Sequence, residues 1–141
     1  MTLKLFVLFC LSALLALAQN PGCPGATGAI PHCVLVSWSA PTSGGTATGY
    51  NVYTGGTAAA QCATVSAPTC TKLTPTPISA AGPLSFTLNS SATVTLKEGS
   101  SYFYVVTAVN AGGESTPSAE VSALIPFLVP GPPTAPSASA K

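Results

Sequence analysis

Between Tyr102 and Asn110 the side chains alternate with a period of two: Tyr102, Tyr104, Val106 and Ala108 fall on one face, Phe103, Val105 and Thr107 on the other. Aromatic and β-branched residues at that spacing suit a pleated strand. The rhythm recurs in Val34-Leu35-Val36-Ser37-Trp38, where Val34, Val36 and Trp38 share a face, and in Tyr50-Asn51-Val52-Tyr53, where Tyr50 and Val52 point inward. A late run from Glu120 to Ile125 turns Val121 and Ala123 inward, and Ala92 to Leu96 is the expected strand ahead of the long one. Gly, Pro, Ser and Asn clusters separate these runs, and none has the 3.6-residue spacing of an amphipathic helix. The chain is therefore expected to be all-β. Two antiparallel sheets packed face to face would bury Trp38, Tyr50, Val52, Leu96, Tyr102, Tyr104 and Val106 together.

The first eighteen residues are a different kind of segment. Lys4 is a positive start, Leu5 to Leu17 is an apolar run, and Ala16-Leu17-Ala18 places small residues where a signal peptidase cuts. Residues 1–18 are expected to be a signal peptide cleaved after Ala18. A membrane anchor needs about 20 consecutive apolar residues; this run is shorter, is interrupted by Ser12 and is followed by Gln19-Asn20-Pro21. Neither Cys10, after bulky Phe9, nor Cys23, beyond the apolar run, has the setting of a lipid-attachment cysteine. The product is expected to be secreted, periplasmic or at the cell surface, with no membrane span after cleavage.

Cleavage removes Cys10 and leaves Cys23, Cys33, Cys62 and Cys70. An even count in an exported chain of this size reads as disulfides. Three pairings are open. Closeness in sequence favours Cys23 with Cys33 and Cys62 with Cys70. A zinc site from these thiols and His32 lacks the C-x2-C spacing that closes a tetrahedral centre.

Charge excludes other functions. Of 141 residues, four are Lys and three Glu, with no Asp or Arg, for a net charge of +1. A nucleic-acid partner needs clustered Lys and Arg, and a calcium site needs several carboxylates. His32 stands alone in sequence, and Glu98, Glu114 and Glu120 are too scattered to suggest a catalytic pair, so no enzyme and no cofactor are expected. Ser and Thr number 34. Such a surface forms hydrogen bonds without long-range repulsion, which suits contact with neighbouring proteins or polysaccharide.

Two motifs turn the general sandwich into a resemblance. One is Val-Ser-Trp-Ser-Ala-Pro around Trp38, then a Gly-rich loop and Gly49-Tyr50-Asn51-Val52-Tyr53. The other is Leu96-Lys97-Glu98-Gly99-Ser100-Ser101-Tyr102 running on to Asn110, then Gly112-Gly113-Glu114-Ser115. Over about Cys33 to Pro126 the chain resembles a fibronectin type III domain of the kind found in exported bacterial proteins. That resemblance implies an immunoglobulin-like sandwich with Trp38 on its second strand. It also implies that the hydroxyl of Tyr102 bonds back to backbone near Leu96. It implies a noncatalytic extracellular or cell-surface module for protein contacts, adhesion or assembly; the alternatives are a carbohydrate-associated accessory module and a fragment of a longer repeat protein. Tyr53, Phe103 and Glu114 are the candidate surface contacts.

The departures are equally specific. Seven of the eleven residues from Asn20 to Ile30 are Gly, Pro or Ala, and only Ile30 has a sizeable apolar side chain, so the family's first strand should be weak. The stretch near 55–84 is longer than a strand crossing needs and holds Cys62 and Cys70, which suggests a stapled hairpin or flap. Residues 127–141 form a Pro-rich tail that reads as a linker, as the opening strand of a further repeat, or as a strand donated head to tail to another molecule. An SH3-type partner for its Pro spacing does not fit an exported chain. Asn89-Ser90-Ser91 is a glycosylation sequon only in a eukaryotic secretory route.

Overall fold

A computed structural model of the chain describes residues 5–6, 23, 32–90, 95–132, 134 and 137–139. Its elements are all strands: β1 (Leu5–Phe6), β2 (Cys33–Trp38), β3 (Gly49–Gly56), β4 (Thr71–Lys72), β5 (Ile78–Ser79), β6 (Ser85–Asn89), β7 (Ser101–Asn110), β8 (Gly113–Glu114) and β9 (Val121–Leu124). One sheet runs β1-β2-β6. The other runs β4-β3-β7-β8, with β5 also on β3 and β9 also on β7. Every pairing is antiparallel.

Alternation in β2 places Val34, Val36 and Trp38 inside, and in β3 and β7 it turns Tyr50, Val52, Tyr104 and Val106 to meet them. Leu96, Ala123 and Ile125 complete this core, with Tyr102 partly buried against it. Trp38 packs on Tyr50 with ring centroids 5.4 Å apart at 57°, an inclined contact that aromatic quadrupoles favour. Tyr102 closes the turn before β7: the Lys97 N–H donates to its Oη at 2.9 Å, and Oη donates to the Thr95 carbonyl at 3.1 Å. Burial raises the phenols of Tyr104 and Tyr50 above their ordinary value.

The strand that pairs with β2 is one that the sequence reading does not single out. It is β6, where Phe86 opposes Val36 and Leu88 opposes Val34. Of the expected strand Ala92–Leu96, only Thr95 and Leu96 fall within the described residues, and Leu96 is buried. The expected signal peptide lies outside the described residues except for Leu5–Phe6, and the expected weak first strand except for Cys23. Disulfides join Cys23 to Cys33 and Cys62 to Cys70.

The middle of β3 and β7 is buried on both faces. The segment between β3 and β4 folds as successive turns closed by the Cys62–Cys70 bond, and Cys62, Val65 and Cys70 pack onto Tyr53 and Val105 on the outer side of the second sheet. This second cluster makes the module three layers thick over part of its width.

Candidate functional site

On that outer face, β3 and β7 are in a register that sets Asn51 opposite Thr107, while β8 sets Glu114 opposite Val109. Three donors from two strands thereby converge on one carboxylate oxygen. Oε1 of Glu114 accepts from Asn51 Nδ2 at 3.0 Å, from Tyr53 Oη at 2.7 Å and from Thr107 Oγ1. Burial opposes the charged form of Glu114, but these hydrogen bonds, with the charge of Lys72, outweigh it and hold the carboxyl below its usual range. Tyr53 responds in the other direction. Burial first, and the adjoining carboxylate second, push its phenol up to about 12.

Beside this hub the loop of residues 41–47 meets the β7–β8 turn around a hollow of about 260 Å³ lined by Ser43, Gly44, Ala47, Asn110, Gly112 and Glu114 among others. Asn110 fastens the two walls. Its Nδ2 donates to the Thr46 carbonyl at 3.2 Å, and its Oδ1 accepts from the Gly112 N–H at 2.8 Å. A Cβ on Gly45 would stand 3.0 Å from that Nδ2, so the close approach uses the missing side chain. Glu114 is the hollow's one ionisable lining residue.

A second cluster lies where the tail leaves the sandwich. His32 is buried, and its Nε2 lies 3.4 Å from Oε1 of Glu98, which also accepts the Leu128 N–H at 3.2 Å. The Phe127 ring rests over Gly99, whose φ is +70° and on which a Cβ would meet Cζ of Phe127 at 2.5 Å. The sequence gives His32 no nearby carboxylate; the fold brings Glu98 to it.

The candidate surface contacts therefore divide. Glu114 is exposed at the hollow, but Tyr53 is only 6% exposed and Phe103 is half-buried. The expectation of an exposed Tyr53 is corrected for a physical reason: the disulfide-closed turns cover its ring, and its hydroxyl donates to Glu114. Among the described residues, no three His, Cys, Asp or Glu side chains come together as a metal-binding group. Asn51 and Thr107 escape a sequence reading, because only strand register brings them to Glu114.

No curated protein matches the chain. The family model of the Fibronectin type III domain matches residues 26–123. With the two antiparallel sheets closing on Trp38 and Tyr50, that match makes the chain a member of the fibronectin type III domain family, whose modules are generally noncatalytic and serve in binding or structure.

Proposed function

We propose that the chain is exported, loses residues 1–18, and acts as a noncatalytic cell-surface or extracellular module that holds partner proteins, in adhesion or assembly, at the pole formed by residues 41–47 and 110–115. The observation that carries this reading is the hollow there. Two loops far apart in sequence are fastened by Asn110 around one exposed carboxylate whose charge three hydrogen bonds preserve. A preorganised polar concavity loses little conformational entropy on binding. Two disulfides suit an oxidising compartment outside the cytoplasm. The polysaccharide alternative is weakened by the burial of Tyr53, which takes away one of its two stacking platforms.

The test is retention of labelled protein, recovered after export, on intact cells. Ser43→Trp fills the hollow from an exposed rim position, at a residue that takes no part in the hydrogen bonds to Glu114. Retention of the parent and loss by the variant support the reading, whereas equal retention assigns contact to another surface. Competition by soluble envelope polysaccharide, with no effect of Ser43→Trp, favours the carbohydrate alternative.

A further inference from the structure

At its Trp38 end the outer edge of β2 is paired with a segment that the proposed processing removes. β1 lies antiparallel along it, with Leu5 opposite Trp38 and Phe6 opposite Ser37, so a vacant edge rests on the proposed export and loss of that leader. The chain ahead of the Cys23–Cys33 staple is a poor replacement. The Cys23–Cys33 bond sets its two Cα atoms 5.4 Å apart at the start of β2, so only Gln19, Asn20, Pro21 and Gly22 lie between the cleavage point and that staple. Pro21 carries the one apolar side chain among the four, and it has no N–H to donate. Among the described residues β1 alone pairs with that edge, and an uncovered sheet edge is a template for another strand.

The tail has the properties of the missing strand. Beyond β9 it is exposed: Phe127 at 72%, Val129 at 88%, and residues 131, 132, 134 and 137–139 likewise open to solvent. Its prolines are in phase, since Pro130, Pro132 and Pro136 all occupy even positions and only Pro133 departs. In a strand whose odd positions face β2, the N–H groups of Ala135, Ser137 and Ser139 can donate, while Pro136 turns away from the ladder, where proline is tolerated.

Direction selects the donor. The tail departs beside the first residues of β2, because Glu98 contacts both His32 and Leu128. Folding back along its own β2, it would run parallel to that strand, against the sense of β1. The tail of another molecule can enter from the Trp38 end and run antiparallel, as β1 does, in the better-bonded arrangement. We propose that residues 134–139 of one exported molecule add as an antiparallel strand to the β2 edge of the next, linking copies head to tail. A heterologous contact of this kind continues from copy to copy as an open chain.

The experiment uses protein exported with its own leader. Mass spectrometry of its N-terminus tests cleavage by itself: a retained leader overturns the export reading. For cleaved protein, light scattering from micromolar to millimolar concentration is compared with and without residues 130–141, a deletion that touches neither core cluster. The expected result is a mass that at least doubles for the full tail and stays monomeric without it. Trp38, the chain's single tryptophan, reports occupancy of the edge, and a synthetic peptide of residues 130–141 should shift its emission saturably in the tail-less protein. A monomer throughout, or assembly indifferent to the tail, overturns the proposal while leaving export intact. A peptide-induced shift with a monomeric parent overturns it too, by placing the tail on its own β2.

Discussion

The hydroxyl of Tyr53 donates to Oε1 of Glu114 at 2.7 Å, joining β3 to β8 across 61 residues of chain. Asn51 and Thr107 donate to the same oxygen, so one carboxylate ties the short β8 to both central strands of its sheet.

Glu114 should give the module an acid-sensitive stability. Its folded value lies below the ordinary 4.5, so its contribution is fully present above that unfolded value and is lost as pH falls through the folded one. Urea midpoints followed from neutral pH downward should decline through this window in the parent. Glu114→Gln should start lower at neutral pH and decline less. Parallel curves for the two proteins would remove the hub from the pH response.

Alkaline titration probes the other partner. Tyr53 moves from 10.0 to about 12 on folding, so its contribution is intact below 10 and disappears as pH rises through the folded value. Tyr53→Phe should show a shallower alkaline loss than the parent, read from the same urea midpoints.

The core should tolerate little truncation. Trp38→Ala opens a cavity against Tyr50 and should cost about 3–5 kcal/mol. Tyr102→Phe keeps the ring but removes the bonds to the Lys97 N–H and the Thr95 carbonyl, both open to water, for a loss of about 0.5–1.5 kcal/mol. Urea melts matching the parent for either variant would contradict the assignment of these rings.

For the Cys62–Cys70 closure, the chain-entropy argument gives about 2.5 kcal/mol. The double Cys62→Ala, Cys70→Ala variant should lose at least that, because Cys62 also covers Tyr53 and Val105. Loosening of the turns should appear as faster amide exchange across residues 57–70 while β2 and β6 stay protected.

Ala60 has φ of 59°, a conformation that costs a residue with a Cβ about 1–2 kcal/mol. Its N–H is held by both oxygens of Glu120 at 3.1 and 2.9 Å. Ala60→Gly should therefore raise stability by about 1 kcal/mol, and Glu120→Gln should lower it, both measurable by thermal melts.

The sandwich is legible in this sequence because its core residues are large and spaced by two: Trp38 against Tyr50, Tyr104 beside Val106. β6 is not singled out, although Phe86 and Leu88 have the same spacing. Two apolar side chains among Ser, Thr and Asn are a weak local signal, and only pairing with Val36 and Val34 marks them as a strand. The hub depends still more on tertiary structure. Asn51 and Glu114 are 63 residues apart, and nothing local to either announces the other. Tyr53 looks solvent-facing by alternation, because the layer over it comes from turns whose docking no strand pattern encodes.

The seat of Phe127 on Gly99 has a mechanical consequence. With that ring laid on Gly99 and the next N–H donating to Glu98, the polypeptide leaves Pro126 on a preferred bearing. Whatever is coupled beyond Leu128 is presented at a set angle to the sandwich, so enlarging Gly99 would alter aim and reach while leaving the cargo itself unchanged.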